Sequence, residues 1–232
     1  GNLIDEYNIG KGFVGNDGLV GYWSFDNGPN EVVYGYSGTL MGGNGGPRVI
    51  KGALNNGYYF LDSSHQFINY GDNPNFEVEQ RDFTIAAWFN HTSAEGDSWL
   101  DGIVGKEDYA NPRRGYALEI AGVLSPNKNK IYFDMGQLSN QYGTGLFSIK
   151  TYNDSLWHHV VVSVDRDKNI SMYIDGGFQA GSVIDTSMTN NSNTIPLEIG
   201  RANCQGCFAA NYEWNGTIDE VRIYNRSLNA QE

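Results

Sequence analysis

Cysteine and basic residues are scarce in this sequence, and each shortage excludes a class of protein or site. Only two cysteines are present among 232 residues, so a four-cysteine zinc site cannot form. Fifteen basic residues against 27 acidic ones give a formal net charge of −12. This charge disfavours nucleic acid and anionic membranes as partners, and it is compatible with cations or neutral ligands.

Long apolar runs are also missing. None approaches the roughly 20 residues that cross a bilayer, so we expect no membrane insertion. The first ten residues do not form a signal peptide, which indicates a mature chain or one cut from a longer protein. Residues 1–18 are rich in glycine and are predicted to be a leader or linker. Residues 19–232 are predicted to form one domain, because β-sandwiches reach this length with a single core.

Helical periodicity is almost absent, and the sequence instead alternates between apolar and polar residues. The clearest case is Trp157 to Gly176, in which every second residue of Val160–Val164 and of Ile170–Ile174 is aliphatic or methionine. A polar turn separates the two runs. Alternation with a period of two buries one face of a strand, so this segment is predicted to be a β-hairpin within a larger antiparallel sheet.

Short strands with turn residues between them are predicted along most of the chain. The segment Phe83 to Asn90 is apolar on both faces, as a central strand covered on each side would be. These features predict an all-β fold of two packed antiparallel sheets, with at most one helical turn beginning at Ser227. The predicted strands are 20–26, 57–61, 66–70, 83–90, 102–107, 115–120, 130–135, 157–165, 170–175, 195–201 and 216–224.

Several segments, taken in order from Leu19 to Glu232, resemble the concanavalin A-like, laminin G-type domains. They are GLVGYWSFDN, GYYF, QFINYG, DFTIAAWF, IVGK, GYALEI, the hairpin above, LEIGR and NGTIDEVRIYNRSL. The resemblance implies a jelly-roll β-sandwich of two curved sheets, the concanavalin A-like lectin/glucanase fold. Such domains often bear calcium, and in secreted and surface proteins they serve carbohydrate binding, adhesion or spacing beside an enzyme domain. The fold itself does not name a ligand.

The last predicted strand carries a carboxylate among aliphatic residues. By alternation, Asp219 shares a face with Val221 and Ile223, while Arg222 points the other way. A buried, unpaired carboxylate costs several kcal/mol, so hydrogen bonds or a cation must compensate it. Asp26 ends the first predicted strand at a turn rich in oxygen atoms, and such hard oxygen ligands are those that Ca²⁺ requires.

The resemblance implies that Asp26 and Asp219 are calcium ligands. Asn30 and backbone oxygens near Tyr34 or Ser37 would complete the shell. Where similar domains often read Asp-x-Ser-Gly, this chain has Gly35-Tyr36-Ser37-Gly38, which weakens any site that used that carboxylate. The alternative is that Asp26 caps its own turn and Asp219 accepts backbone N–H bonds.

Two other features favour an extracellular setting. Cys204 and Cys207 lack the further ligands of a zinc site and the strand-to-helix context of a redox motif, so a local disulfide is predicted. Six Asn-x-Ser/Thr sequons predict a glycoprotein, although a sequence rich in Asn and Ser makes several by chance. They begin at Asn90, Asn153, Asn169, Asn190, Asn215 and Asn225.

Aromatic and arginine side chains in predicted loops are the candidate ligand-binding residues. Exposed aromatic rings stack on sugar rings, while polar side chains bond the hydroxyl groups; the same rings could equally cover the sheet edge. The candidates are Trp99, Tyr109, Arg113, Tyr142, Arg201, Tyr212 and Trp214.

No motif for catalysis is present. A retaining glycosidase on this fold would need two carboxylates about 5–5.5 Å apart, and Glu119 and Glu198 each lack a partner in their own strand. The sequence therefore predicts a non-catalytic extracellular or cell-surface module that binds glycan or protein and is stabilised by Ca²⁺. One alternative is a structural subunit of a surface layer or filament, in which residues 1–18 pair with a neighbour's sheet edge. A cryptic glycoside hydrolase is the other alternative.

Overall fold

Fifteen β-strands dominate the part of the chain that the computed structural model describes, namely residues 17–91, 99–108, 114–136, 145–183, 192–202 and 212–232. Three short 3-10 helices lie at Gly43–Gly45, Asp62–Ser64 and Pro74–Phe76. In chain order the strands are β1 (Leu19–Trp23), β2 (Thr39–Met41), β3 (Arg48–Lys51), β4 (Asn56–Phe60), β5 (Phe67–Asn69), β6 (Phe83–His91), β7 (Leu100–Asp108), β8 (Arg114–Ala121), β9 (Lys130–Met135), β10 (Leu146–Thr151), β11 (His158–Val164), β12 (Asn169–Ile174), β13 (Gly177–Val183), β14 (Glu198–Ile199) and β15 (Gly216–Tyr224).

The strands form two antiparallel sheets, which confirms the predicted all-β sandwich. One sheet has eight strands in the order β13-β12-β11-β6-β15-β4-β3, with β1 also paired to β15. The other has seven strands in the order β10-β9-β8-β7-β14-β5-β2. The predicted hairpin is β11–β12, in which Val162 pairs with Met172. Among the described residues, no helix is long and apolar enough to span a membrane.

The core lies between the two sheets and is built from the alternating residues. Val162 and Met172 of the hairpin and Phe89 of β6 face Leu118 and Phe133 of the seven-stranded sheet, and all five are fully buried. Burial of such large apolar side chains stabilises the fold by about 1.5–3 kcal/mol each. Most of the apolar alternation seen in the sequence is therefore accounted for by this one core.

Four strands were not predicted, and each lies at or beside a sheet edge. β3 and β13 end the strand order of the eight-stranded sheet, and β2 and β10 end that of the seven-stranded sheet. All four carry exposed residues. Exposure on both faces over much of these strands removes the alternating pattern by which a strand is recognised. β14 has two residues rather than the predicted seven, and the segment after Ser227 forms a turn rather than a helix.

The face assigned to Asp219 is wrong because β15 contains a β-bulge. Ile218 pairs with buried Phe89, so Asp219, paired with Trp88, faces away from the core. The register then shifts before Arg222, and Glu220 adopts a left-handed φ of 53°. An extra residue of this kind reverses the parity of the strand, which returns Val221 to the core side.

A lysine is buried beside the core, which the sequence did not indicate. The side chain of Lys106 in β7 is 1% exposed, and its Nζ lies 2.7 Å from both Asp72 Oδ1 and Glu77 Oε1. The same ammonium donates to the carbonyl oxygen of Ile195 at 2.6 Å. These contacts compensate the charge of the buried ammonium group. They also join the segments around Glu77 and Ile195 to β7.

Replacing Lys106 by methionine is expected to lower the free energy of unfolding by about 3 kcal/mol or more, because Glu77 then keeps a largely buried, unpaired charge. Urea denaturation measures this loss. Lys168→Met is the matched control, since Lys168 pairs with Asp165 but is 74% exposed, and it should change the free energy of unfolding little. Equal effects of the two substitutions would contradict the structural role of Lys106.

Candidate functional site

Asp26 and Asp219 meet at one turn, residues 52–56, between β3 and β4. Asp219 Oδ2 accepts a hydrogen bond from the N–H of Leu54 at 2.9 Å. Asp26 Oδ1 accepts from the N–H of Asn56 at 3.1 Å, and its Oδ2 accepts from the side chain of Asn55 at 3.2 Å. The structure therefore brings these two predicted residues together, each with backbone N–H bonds.

The position of this junction follows from the pairing of β15. One edge of β15 pairs with β4 at Gly216–Ile218 and with β1 from Val221 onward. Asp219 and Glu220 occupy the gap between these two partners, at the bulge. The turn that follows β1 and the turn that precedes β4 meet at this gap. The carboxylates of Asp26 and Asp219 accept backbone N–H bonds there, where a neighbouring strand would otherwise supply the partners.

The Asp219 carboxyl group is electrostatically strained. Burial raises its pKa to about 8, and the neighbouring carboxylates Glu220 and Asp26 add to this, while the N–H bonds from Leu54 and Glu220 oppose it. The Glu220 pKa is also raised, chiefly by burial. A positive ion at this position would relieve the repulsion among the three carboxylates.

The donor set fits a hard cation only if backbone oxygens contribute. The described residues contain no group of three or more His, Cys, Asp or Glu side chains arranged to hold a metal. Two carboxylates with carbonyl oxygens are nevertheless a set that Ca²⁺ accepts. Asn30, the third predicted ligand, is exposed, and its Oδ1 accepts from the N–H of Gly38 at 3.2 Å.

Glu31 is a buried carboxylate that sequence reasoning missed. Its Oε1 accepts from the N–H groups of Tyr22 at 2.9 Å and Val33 at 2.6 Å, and its Oε2 accepts from the N–H of Tyr34 at 2.7 Å. These bonds fix the loop after β1 against the strand. A single Glu in a polar loop carries no sequence signal that would have distinguished it.

The raised pKa of Asp219 predicts a pH-dependent stability in the presence of EDTA. The folded-state pKa of about 8 exceeds the ordinary value of 3.8, so the unfolded chain binds fewer protons between these values. The free energy of unfolding should therefore fall as pH rises from 5 to 8, by up to about 4 kcal/mol. Urea denaturation at each pH measures this decline.

Asp219→Asn should flatten that pH profile, because the amide does not titrate. Asp167→Asn, which removes an exposed carboxylate, is the matched control. A decline that is equally steep in Asp219→Asn and in the unaltered protein would rule out Asp219 as its source.

The predicted ligand-binding aromatics differ in exposure, and two of the five lie outside the described residues. Trp99 is half exposed. The Tyr212 carbonyl accepts from the N–H of Gly102 at 2.8 Å, which places Tyr212 beside β7. Outside the described residues lie Tyr109, Arg113 and Tyr142, together with the predicted disulfide partners Cys204 and Cys207.

The predicted exposure of Trp214 is wrong. The side chain is fully buried, with its ring 5.9 Å from that of Phe89 and 4.8 Å from that of His91. The short strand-like segment before β15 turns Trp214 into the core instead of out to solvent. It therefore contributes to packing and is not available to stack on a ligand.

Arg201 is a predicted ligand-binding residue whose side chain is held by several contacts. Its Nε and one terminal nitrogen each bond the carboxylate of Glu198 at 2.8 Å. Its guanidinium carbon lies 3.5 Å from the centre of the Phe67 ring, and Asn69 donates to Glu198 at 3.0 Å. The arginine side chain keeps 27% of its surface exposed. We call Asn69, Glu198, Arg201 and Phe67 the Arg201 cluster.

The Arg201 cluster lies on the outer face of the seven-stranded sheet. Ile68 and Ile199 pair across β5 and β14 and face the core, so Phe67, Asn69 and Glu198 face outward. Burial raises the pKa of Glu198, and Arg201 opposes that shift. Near the cluster, Glu213 Oε1 lies 3.9 Å from Arg201, and Glu213 Oε2 lies 3.5 Å from His65. The result is a fixed array of planar polar groups, of which Arg201 and Asn69 are partly exposed.

The two-sheet antiparallel sandwich places this chain among jelly-roll domains. It belongs to the concanavalin A-like lectin/glucanases superfamily, whose Laminin_G_3 family model matches residues 62–232. The resemblance seen in the sequence is thereby confirmed. No curated protein is significantly similar to the chain in sequence.

Solved structures share the fold at low identity. The binding domain of Paraclostridial Mosquitocidal Protein 1 has a TM-score of 0.69 and 14% identity over 92% of this chain. Domain 4 of AbnA, an extracellular GH43 arabinanase from Geobacillus stearothermophilus solved with arabinotriose, has a TM-score of 0.64 and 16% identity over 91%. The binding domain of botulinum neurotoxin DC, solved with rat synaptotagmin II, has a TM-score of 0.63 and 14% identity over 93%.

The lengths of these neighbours differ. The chain spans 94% of the arabinanase domain but only 50% of each of the two toxin binding domains. Identities of this size establish a shared fold and no more.

Proposed function

We propose that this chain is a non-catalytic carbohydrate-binding module that acts outside the cell or at its surface. Membership in a superfamily of lectins and glucanases supports a glycan ligand. The match to nearly the whole of an arabinanase domain solved with arabinotriose supports it further, because that domain accompanies an enzyme and is the size of this chain. The acidic net charge of −12 is compatible with neutral glycans.

The Arg201 cluster is the observation that carries this proposal. Hydroxyl groups of a sugar are read by planar donors and acceptors held in fixed positions. Only two of the five N–H donors of Arg201 bond Glu198, so others can point to a ligand. Phe67 beneath the guanidinium and Glu198, which Asn69 also bonds, hold the group in place, so little entropy is lost on binding.

Arg201→Gln is expected to reduce glycan affinity by about tenfold or more, because a charge-assisted donor is lost. Glutamine keeps amide N–H groups near buried Glu198, and urea denaturation of Arg201→Gln checks that the variant still folds. The measurement is calorimetric titration with a glycan chosen from an array. Arg81→Gln is the matched control, since Arg81 is exposed and pairs only loosely with Glu79 at 3.6 Å. Absence of binding to any glycan on a broad array would refute the proposed function.

Calcium at the Asp26–Asp219 junction is the second part of the proposal. The two carboxylates converge on one turn, and Asp219 is buried with its pKa raised by burial and by neighbouring acids, so a divalent ion would be favoured there. Bound Ca²⁺ would supply positive charge and hold the first and last strands together. Asn30 belongs to the proposed ligand set through its side-chain oxygen.

Addition of Ca²⁺ to the EDTA-treated protein should raise its melting temperature, with a stabilisation of about 2.7 kcal/mol at a concentration 100 times the dissociation constant. Asp26→Asn and Asp219→Asn should each abolish the increase, whereas Asp167→Asn should leave it intact. Calorimetric titration with Ca²⁺ gives an independent readout. An unchanged melting temperature with no heat of binding would argue against the ion.

The extracellular setting is supported by the surface of the chain. Three sequon asparagines, Asn153, Asn169 and Asn225, are exposed and could carry glycans. Mass measurement of the protein recovered from its native source, before and after reduction, would test glycosylation and the Cys204–Cys207 disulfide together.

A further inference from the structure

A groove crosses the outer face of the eight-stranded sheet, on the opposite side of the sandwich from the Arg201 cluster. Its apolar floor is formed by Ala86 of β6 and Val161 of β11. Tyr173 of β12 forms one wall, and residues 228–232 form the other. The cavity holds about 320 Å³, within the range of small-molecule sites. A second cavity of about 450 Å³ continues past Ser163 and Tyr173 toward Ser171, so the two form one trough.

The wall at 228–232 is held firmly against the sheet. Ser163 Oγ donates to the carbonyl oxygen of Leu228 at 2.7 Å, and Thr84 Oγ1 accepts from the Leu228 N–H at 3.0 Å. Arg226 bonds the carboxylate of Glu232 at 2.8 Å, and Asn229 donates to the same carboxylate at 2.8 Å. The trough is therefore preformed, which lowers the entropic cost of filling it.

The charged side chains that line the trough are compensated within the protein. Arg222 bonds the carboxylate of Glu220 and lies 4.5 Å from the Tyr22 ring centre. Lys168 bonds Asp165 at 2.8 Å, and Arg226 bonds Glu232 as described. The one histidine of the lining, His159, has its pKa lowered to about 4 by burial and by Arg222, so it is neutral near pH 7. An ionic ligand would therefore find no uncompensated counter-charge among the described lining residues.

What the trough does offer is an apolar floor with uncharged polar groups along its rim. Ala86, Val161 and Leu228 are apolar, and Tyr173 supplies a partly exposed ring. Ser171, Asn229 and Gln231 supply hydroxyl and amide groups. A sugar ring has the same character, with an apolar face of C–H groups and hydroxyls at its edge. A purely apolar peptide would leave the rim's hydroxyl and amide groups unpaired.

We propose that this trough is a second glycan site, which takes an uncharged linear oligosaccharide with one ring against Tyr173. The proposal rests on the carbohydrate-binding function but not on Arg201, since Arg201 lies on the other sheet. Two sites on opposite faces would let one module bridge two glycan chains, with a gain in avidity over either site alone.

The test uses the full chain with Arg201→Gln, which isolates the trough. Calorimetric titration with neutral linear oligosaccharides of three to six sugars (glucans, xylan, mannan and arabinan fragments) should still show binding by one of them. Adding Tyr173→Ala should weaken that binding by roughly tenfold or more. Ala230→Arg should do the same by narrowing the trough from an exposed position, where the larger side chain does not threaten the fold. Adding Ile149→Ala, which removes an exposed apolar side chain of β10 on the other sheet, should have no effect.

The two proposals fail separately. If Arg201→Gln alone abolishes all glycan binding, the second site is overturned and the module has one site. Binding that survives Arg201→Gln and is unaffected by both Tyr173→Ala and Ala230→Arg also overturns it. Binding in this background that is confined to anionic oligosaccharides such as sialyllactose contradicts the charge argument. If the unaltered protein binds no glycan at all, the proposed function itself falls, and the trough proposal falls with it.

Discussion

The bulge at Asp219–Glu220 is the constraint on which the functional surfaces of the eight-stranded sheet depend. β15 is central to that sheet, pairing with β6 on one edge and with β4 and β1 in turn on the other. At the change of partner, Asp219 replaces the missing strand bonds by holding the turn at Leu54. Glu220 accepts from the hydroxyl of Tyr22 and orients Arg222 beside the trough. One irregular step in one strand thus links the proposed ion site to the proposed second glycan site.

The outer faces of the sandwich use charge in a consistent way. Three buried acids are bonded locally, Glu31 and Asp219 by backbone N–H groups and Glu198 by a guanidinium. A chain with net charge −12 can therefore present surfaces on which hydroxyl recognition, rather than ionic attraction, decides affinity. Arg201 is rigid because Glu198 and Phe67 hold it, and the trough is preformed because Ser163 and Thr84 hold its wall.

How much the sequence predicted depends on how far each strand is buried. The hairpin β11–β12 was recognised because its alternation is complete, and the central strand β6 because it is apolar on both faces. The resemblance supplied the jelly roll. Edge strands such as β2 were missed because exposure on both faces leaves no pattern. Burial of Asp219 was predicted correctly, but its face was not, because a bulge changes strand parity without any change in composition. Trp214 was taken for a loop residue, since a short connection that turns into the core resembles any other loop in sequence.

The central claim, that Asp219 holds the turn before β4 in place of strand pairing, is most directly tested by amide hydrogen exchange. Exchange at the Leu54 amide can be followed by NMR, with the neighbouring amide of Asn55 as an internal reference. In the unaltered protein the Leu54 amide should be protected, and Asp219→Ala should remove that protection while core amides such as Val162 stay protected. Equal and rapid exchange at Leu54 with and without the Asp219 carboxylate would contradict the account.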